Sequence, residues 1–250
     1  MKIIIVGYGK MGQIVEEIAL SQGHEIACRV DPVNPKAEAK TLLPELRNGA
    51  DAAIEFALAE GIDERIAYYL REKLPAVIAT TGWHDKLDAI RQKTVSGGGS
   101  ILHGSNFAIG ANIFFAMVRN AVSIINQFPE YDVLGYELHH KRKKDSPSGT
   151  ALSTAEVILD ASTQKNILVT EKLDRAITPG ELHFASVRGG YIPGIHTVLL
   201  DSEFDTIEIT HNARNRTGMA AGAVAAAGWL IGKKGLFHFQ DFIKEKLENR

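Results

Sequence analysis

The most constraining feature of this 250-residue chain is a glycine turn between an apolar strand and a helix. Lys2 to Val6 is dominated by isoleucine and valine, which is typical of a strand buried on both faces. The residues Gly7-Tyr8-Gly9-Lys10-Met11-Gly12 follow and fit the spacing G-x-G-x-x-G. A segment with helical apolar spacing comes next, and a second strand then ends at Asp31. This β-turn-α-β order predicts a dinucleotide-binding unit of the Rossmann type.

Each part of the turn has a physical role in such a unit. Gly7 permits the tight turn, Gly9 lets a pyrophosphate approach the backbone, and Gly12 lets the helix pack closely on the strand. The helix start offers unpaired N–H groups and a positive dipole end. Asp31 lies about 20 residues beyond the glycines, where a carboxylate can accept hydrogen bonds from ribose hydroxyls. The predicted cofactor-binding residues of this region are Gly7, Tyr8, Gly9, Lys10, Met11, Gly12 and Asp31.

The residues around Asp31 also bear on which nicotinamide cofactor is bound. A carboxylate at this position should repel a 2′-phosphate, and Pro32 stands where an arginine would favour one. We therefore predict a preference for NADH. NADPH stays an alternative, because Lys36 lies close by in the sequence.

Strands and helices alternate through the rest of the N-terminal half, which predicts a parallel, doubly wound sheet. Ligands of such sheets bind beyond the carboxyl ends of the strands. Two loops, Thr80 to Gly82 and Gly104 to Phe107, are expected at that rim beside the glycine turn. Phe107 itself suits either a core aromatic residue or a nicotinamide contact.

The second half has a different pattern, with a run of strands in place of further alternation. It predicts an α+β domain with an open mixed or antiparallel sheet. A helix of small residues from Thr217 onward could pack back on the first domain. We therefore expect a dinucleotide-binding domain at 1–106 plus 217–250, and a substrate-binding and oligomerisation domain at 107–216.

The segment ELHHKRKKDSPSGTA, residues 137 to 151, concentrates most of the polar chemistry of the second half. Lys141 to Lys144 form a basic loop, and Ser146 or Ser148 can cap a helix that starts at Gly149. The N–H groups of Gly149 and Thr150 could hold a carboxylate, which the nearby lysines would neutralise. His139 or His140 can deliver or take up a proton near neutral pH. This cluster favours a small dianionic substrate that also needs a proton, although a solvated basic loop beside a capped helix is the simpler alternative.

The composition excludes several other classes of protein. The net charge is -2, so there is no overall attraction to nucleic acid or to membrane surfaces. We find no segment long and apolar enough for a bilayer span. Cys28 is the single cysteine, which fits a reducing cytoplasm. No metal-binding constellation stands out, and His183, His196 and His211 are expected to be core or surface residues.

The segment from 137 to 151 resembles the E-x-H-H-x-x-K-x-D-x-P-S-G-T-A signature of the dihydrodipicolinate reductase family. The segments VGYGKMG, TTGW, SNFAIGAN, VRGGYIPGIHTVLL and EITHNARNR also resemble family segments, in the family's order. The resemblance implies NAD(P)H-dependent reduction of a cyclic imine dicarboxylate to tetrahydrodipicolinate, in lysine and diaminopimelate biosynthesis. It also implies a cytoplasmic homotetramer built from a Rossmann domain and a mixed-sheet domain.

The same resemblance implies roles for individual residues. His139 would be the catalytic proton donor or acceptor, and Lys143 a second proton donor. His140 would contact substrate, and Gly149 with Thr150 would hold a substrate carboxylate. The cofactor site would include the glycine turn and Asp31, and it would extend to Ala79, Thr80, Thr81, Gly104, Ser105, Asn106 and Phe107.

The chain departs from the family pattern at three places. Its glycine turn is one residue shorter than the common one, and Glu55 and Ala57 stand where aspartate and threonine are common. Pro32 stands where an arginine often follows the acidic residue that binds the ribose. Two other functions remain open at this point. One is an aspartate or diaminopimelate dehydrogenase, which would oxidise an amine. The other is a non-catalytic sensor that binds NAD(H) and uses the basic loop as a docking surface.

Overall fold

A computed structural model describes residues 1–47 and 49–248 of the chain. These residues form two compact units. The first comprises Met1–Ile109 and the described residues from Arg216 onward, and the second comprises Gly110–Asn215. None of the helices in the described ranges is both long and apolar enough to cross a bilayer.

The first unit contains a six-stranded parallel sheet with the order β11-β5-β4-β3-β1-β2. Its strands are β1 (Lys2–Val6), β2 (Glu25–Val30), β3 (Ala52–Glu55), β4 (Ala76–Ile78), β5 (Ser100–His103) and β11 (Gly235–His238). Its helices are α1 (Lys10–Ser21), α2 (Ile62–Arg71), α3 (Leu87–Ser96), α6 (Thr217–Leu230) and α7 (Phe239–Glu248). Short 3₁₀ helices lie at Pro44–Arg47 and His84–Lys86.

Alternate residues of β1 show that helices cover both faces of this sheet. Ile3 and Ile5 pack in one buried cluster with residues of α1 and α6. Ile4 and Val6 pack in a second cluster with residues of α2 and α3. The parallel, doubly wound sheet predicted from the sequence is therefore confirmed.

The helix of small residues, α6, belongs to the core of this first unit. A methyl group at Gly222 would lie 1.7 Å from the carbonyl oxygen of Phe107, so only glycine lets the backbones approach this closely. Ala223 and Ala227 fill the same cluster as Ile3 and Ile5. Helix α6 thus packs against the parallel sheet, and the domain bounds expected from the sequence stay a prediction.

The second unit contains a five-stranded mixed sheet with the order β10-β9-β6-β8-β7. Its strands are β6 (Asp132–His139), β7 (Ile167–Val169), β8 (Glu181–Arg188), β9 (Ile195–Asp201) and β10 (Thr206–Asn212). Strand β6 pairs parallel with β8, and β9 pairs antiparallel with β6 and β10. The helices α4 (Ile109–Ile125) and α5 (Gly149–Ala161) contribute Phe114, Val118 and Ile158 to a core with Phe184 and Val198. The predicted mixed-sheet α+β architecture is thus confirmed, whereas the function assigned to each domain stays a prediction.

Candidate active site

The glycine turn connects β1 to α1, and its glycines differ in what surrounds them. Gly7 has a φ of +85°, and a Cβ there would lie 2.5 Å from the carbonyl oxygen of Phe56. A Cβ at Gly12 would lie 2.2 Å from the carbonyl oxygen of Gly7. A Cβ at Gly9 would meet no atom within 4 Å. The fold itself therefore requires Gly7 and Gly12, while Gly9 leaves open space where a phosphate could approach the backbone.

The side chain of Tyr8, the residue between these glycines, belongs to the buried core of the first unit. Its hydroxyl donates to Glu16, and the guanidinium of Arg29 lies 5.6 Å from its ring centroid. Burial and the neighbouring Glu16 raise the pKa of the Tyr8 hydroxyl. Tyr8 can thus serve a ligand only through the turn backbone.

Asp31 follows β2 and braces the glycine turn. Its Oδ2 accepts from the Tyr8 N–H at 2.8 Å, and its Oδ1 accepts from the N–H groups of Val33 and Asn34 at 2.9 and 2.8 Å. Burial alone would raise the pKa of Asp31, but these backbone hydrogen bonds outweigh it and lower the pKa. The Asn34 side chain donates to the Tyr8 carbonyl at 2.6 Å. Asn34 is therefore a second brace, which the sequence motif did not reveal.

A cavity of about 900 Å³ opens beside Gly7, Gly9 and Asp31 in the first unit. Its walls also include Pro32, Val33 and the segment from Lys40 to Leu42. The opposite wall contains Ala57, Leu58 and residues of α2. The cavity size and its phosphate-cradle edge suit part of a dinucleotide.

The other predicted cofactor residues lie outside the lining of this cavity. They are Tyr8, Lys10, Met11, Gly12, Ala79, Thr80, Thr81, Gly104, Ser105, Asn106 and Phe107. Ala79 to Thr81 follow β4, and Gly104 follows β5 at the carboxyl ends of the strands. Phe107 is fully buried, 4.7 Å from the ring of Phe239, so its side chain is a core aromatic. Contact of these residues with a cofactor stays a prediction.

In the second unit, a buried carboxylate organises the end of β6. Glu137 has no exposed surface, and its Oε1 accepts from the Ser148 N–H at 2.9 Å, the Ser186 hydroxyl at 2.8 Å and the Arg188 guanidinium at 2.7 Å. Its Oε2 accepts from the Ser148 hydroxyl and lies 3.4 Å from Nε2 of His196. Burial by itself would raise the pKa of Glu137, but hydrogen bonds from His196, Ser148 and Arg188 hold it well below its usual range. The structure thus contains a buried, fully paired anion.

His139 lies two residues along the same strand and therefore on the same face as Glu137. Its Nδ1 lies 3.2 Å from Oε2 of Glu137, at ion-pair distance although without the alignment of a hydrogen bond. A Cβ at Gly194 would lie 2.9 Å from the other ring nitrogen, Nε2, so Gly194 leaves room for the ring. Burial lowers the pKa of His139 to about 4. The negative charge of Glu137 raises this pKa, but the positive charges of Lys143 and Arg188 lower it and offset part of that effect. His139 is therefore neutral at pH 7 in the ligand-free protein.

The predicted basic loop follows His139. Lys143 forms an ion pair with Asp145 at 2.8 Å, and its side chain is 21% exposed. Arg188 donates to the Asp145 carbonyl at 2.8 Å and so links the loop to Glu137. His140 is partly buried, with its N–H bonded to the Ile192 carbonyl at 2.8 Å. The loop is therefore fastened at both ends rather than only solvated.

Helix α5 begins where the sequence predicted. Ser148, and not Ser146, is its N-cap, because the Ser148 hydroxyl accepts from the Ala151 N–H at 3.1 Å. Gly149 is exposed, and a Cβ there would meet no atom within 4 Å. Thr150 is partly buried in the first turn. Since Ser148 also binds Glu137, one hydroxyl connects the helix start to the strand that carries His139.

His196 is one of two residues of this cluster, with Arg188, whose part in it sequence reasoning missed. It was expected to be a core or surface residue, and it is indeed buried, but its Nε2 lies 3.2 Å from the Ser148 hydroxyl. Its ring centroid lies 5.2 Å from that of His139. Arg188 was missed for the same reason: both reach Glu137 from neighbouring strands, and no local sequence signal marks such a contact. Glu137 itself could have been found, because period-two alternation places it beside His139.

Glu137, His139 and His196 each offer one possible metal-ligand atom, and these atoms lie within 4.8 Å of one another. The guanidinium of Arg188 already pairs with Glu137 at 2.7 Å and would repel a divalent cation. The hydrogen bonds to serine, histidine and arginine account for the group, so we assign it no metal.

Two family models match the chain, one for each half. Residues 1–107 match the model described as dihydrodipicolinate reductase, N-terminus. Residues 110–243 match the model described as dihydrodipicolinate reductase, C-terminus.

Similar proteins agree with these matches. The 4-hydroxy-tetrahydrodipicolinate reductase of Christiangramia forsetii is 34% identical over 249 residues, with all of both chains covered. The protein of that name from Methanoregula boonei is 30% identical, with 97% of each chain covered. A solved structure, dipicolinate-bound dihydrodipicolinate reductase from Paenisporosarcina sp. TG-14, matches with a TM-score of 0.77 and 23% identity over 95% of this chain and 97% of that chain. This last match shows a shared fold.

Proposed function

This chain belongs to the dihydrodipicolinate reductase family, and we propose that its cofactor cavity, His139, Lys143 and the start of α5 perform the family's reaction. The protein is an NAD(P)H-dependent 4-hydroxy-tetrahydrodipicolinate reductase of lysine and diaminopimelate biosynthesis. The assignment of roles rests on the contacts of Glu137. This carboxylate connects His139, the proposed proton-transfer residue, to the start of α5, which is proposed to bind a substrate carboxylate. The cofactor, when bound, supplies a hydride to the imine-conjugated ring.

The first unit would hold the cofactor through its glycine turn. The space at Gly9 and the N-terminus of α1 suit the pyrophosphate. The Oδ2 of Asp31 accepts one backbone hydrogen bond and has capacity for a ribose hydroxyl as well. Because Asp31 lines the cavity as an anion and Pro32 follows it, we propose that NADH is preferred over NADPH.

The second unit would hold the dicarboxylate substrate. Gly149 lies at the exposed N-terminus of α5, where helix N–H groups and the helix dipole favour an anion. Lys143 supplies a positive charge on the adjacent loop, and His140 is proposed to contact the ring. Binding of a doubly negative ring here would be opposed by Asp145, so Lys143 would have to exchange part of its pairing with Asp145 for the substrate.

Proton delivery would fall to Lys143 and His139 in different ways. Lys143 is the cation of the pair, so it can donate a proton and stabilise negative charge that develops on the ring. His139 is neutral at pH 7 in the ligand-free site, because its pKa is about 4. A dianionic substrate beside His139 would raise the pKa of the imidazole, which could then carry a proton in the complex. Glu137 would orient His139 without touching the substrate.

The family resemblance also supports two proposals about the protein in the cell. We propose a homotetramer assembled through the second unit and a cytoplasmic location. Light scattering coupled to gel filtration tests the first, with a tetramer as the expected mass and a monomer as the contradicting one.

A steady-state assay tests the proposed activity and the cofactor preference together. The substrate is the condensation product of pyruvate and aspartate semialdehyde, generated in the cuvette, and NADH or NADPH oxidation is followed at 340 nm, the usual wavelength for reduced nicotinamides. We expect turnover with both cofactors and a higher kcat/KM with NADH. Absence of turnover with either cofactor would contradict the activity, and a tenfold advantage of NADPH would contradict the preference.

A further inference from the structure

A second buried carboxylate, Glu55, lies at the end of β3 where the family usually has an aspartate. It has no exposed surface, and β3 lies between β1 and β4 in the parallel sheet. Burying a carboxylate is costly unless it is paired and hydrogen-bonded. Its partners therefore indicate what this departure from the family pattern accomplishes.

Three side chains from two different segments donate to Glu55. The Tyr69 hydroxyl donates to Oε2 at 2.6 Å, and the Thr80 hydroxyl donates to Oε1 at 2.8 Å. The Arg65 guanidinium donates to Oε1 at 3.1 Å. Burial and the negative charge of Glu55 raise the pKa of Tyr69 well above its usual value, so the hydroxyl stays a donor. Glu55 is thus paired and hydrogen-bonded on both oxygens.

Arg65 also connects Glu55 to residues that line the cavity. The same guanidinium donates to the carbonyl oxygens of Leu58 and Glu60, both at 2.6 Å. The Thr80 hydroxyl also contacts the Ala57 carbonyl at 3.1 Å. Residues 57 to 61, which we term the wall segment, are therefore fastened through Arg65 and Thr80 to one carboxylate.

The wall segment forms part of the surface that faces the cavity. Ala57, Leu58, Glu60 and Gly61 line the cavity, and so does Arg65. The Leu58 side chain is 76% exposed, which leaves an apolar group available to a ligand. Leu58, Glu60 and Gly61 are exposed, whereas Ala57 packs against a buried cluster of the first unit. The two hydrogen bonds from Arg65 to the Leu58 and Glu60 carbonyls therefore tie down the part of the wall segment that has the least core packing.

We propose that Glu55 and Arg65 are positioning residues for the dinucleotide: their ion pair holds the wall segment in place and so sets the affinity for NADH. The proposal deepens the proposed function, on which it rests, because it assumes that the cavity takes this cofactor. Pre-organisation of a wall lowers the entropy that is lost when a ligand orders it. Loss of the pair should weaken NADH binding while the chemistry on the second unit continues.

The test is a double-mutant cycle with Glu55→Gln and Arg65→Gln, read by NADH fluorescence titration. We expect each single variant to raise the Kd for NADH about tenfold, with the double variant no worse than the weaker-binding single, as for residues that act as one pair. We also expect kcat at saturating NADH and the KM for the dicarboxylate to stay within about twofold. Tyr69→Phe is the matched control, since it removes a hydrogen bond to the same carboxylate but leaves the Arg65 bonds to the wall segment.

Three results would overturn the proposal. They are wild-type NADH affinity in both single variants, additive losses in the double variant, or an equal loss of affinity in Tyr69→Phe at an equal change in Tm. Should Glu55→Gln not fold, Arg65→Gln against Tyr69→Phe still decides. Both variants remove a hydrogen bond to Glu55, but only Arg65→Gln also removes the hydrogen bonds to the wall segment. The proposed function fails separately, by absence of NADH binding or turnover in the wild-type protein.

Discussion

At the scale of single residues, the glycine turn separates what folding needs from what a ligand needs. A Cβ at Gly12 would clash with the carbonyl oxygen of Gly7, whereas a Cβ at Gly9 would lie more than 4 Å from every other atom of residues 1–47 and 49–248, its chain neighbours apart. The φ of Gly9 is -77°, a value that alanine also adopts. A requirement for glycine at this position would therefore come from the ligand.

The contrast gives a pair of variants with opposite signatures. We expect Gly9→Ala to keep the wild-type Tm but to raise the Kd for NADH at least tenfold, because the methyl group occupies the space for the pyrophosphate. We expect Gly12→Ala to lower the free energy of unfolding by about 1–3 kcal/mol, because backbone must move to admit the methyl group. Thermal unfolding and NADH titration of both variants check this, and unchanged NADH affinity in Gly9→Ala would argue against a phosphate at the turn.

The charge state of His139 links the stability of the protein to pH just below neutrality. The pKa of this residue in the folded protein is about 4, against an ordinary value of 6.5. Between pH 4 and pH 6.5 the imidazole of His139 is mostly protonated in the unfolded chain and mostly neutral in the folded protein, so a falling pH favours the unfolded chain. The stability that depends on a neutral His139 is therefore complete above pH 6.5 and is lost as the pH falls toward 4.

We therefore expect the wild-type protein to lose about 2 kcal/mol more stability than His139→Gln between pH 7 and pH 5. Urea unfolding at the two pH values measures both losses. The variant serves as the control for other groups that titrate in this range, such as His211, whose pKa burial also lowers. Equal losses in the two proteins would show that His139 is not held neutral by the fold.

At the scale of elements, the start of α5 places a structural helix cap next to the proposed carboxylate site. Ser148 caps the helix and donates to buried Glu137, while the next residue, Gly149, lies in open space. We therefore expect these adjacent positions to have different functions, one in stability and one in substrate binding.

Two alanine variants separate those functions. Ser148→Ala removes the cap and a hydrogen bond to a buried carboxylate, so we expect a loss of about 2 kcal/mol in the free energy of unfolding. Gly149→Ala should leave stability unchanged or slightly improved and should raise the KM for the dicarboxylate more than it lowers kcat. Denaturant unfolding and steady-state kinetics distinguish these outcomes; a wild-type KM in Gly149→Ala would place the carboxylate elsewhere.

The elements that the sequence predicted are those whose signal is local. The order β1, turn, α1, β2 could be predicted because apolar runs, glycine spacing and Asp31 all lie within about thirty residues. The strand β11 and the helix α7 were not predicted. Strand β11 is only four residues long, and its partner β5 lies more than a hundred residues away in the sequence, so no local signal marks it.

At the scale of the whole molecule, the candidate chemistry divides between two compact units. The sequence supplied the residue types in both, through the glycine turn and the His-His segment. It did not supply Arg188, His196 or Arg65, since each reaches its carboxylate from an element that is distant in sequence or placed by helix packing. Each unit thus contains a carboxylate with no exposed surface, Glu55 or Glu137, whose partners only the fold assembles.

The central claim is that the loop with Lys143 and the start of α5 hold a dianionic ring beside His139. A crystal structure with NAD⁺ and pyridine-2,6-dicarboxylate, a flat ring with two carboxylates, measures this most directly. We expect one carboxylate within hydrogen-bond distance of the Gly149 N–H and the ring within reach of Lys143 Nζ and His139. A ring bound away from His139, or Lys143 still paired only with Asp145 beside a bound ring, would contradict the account.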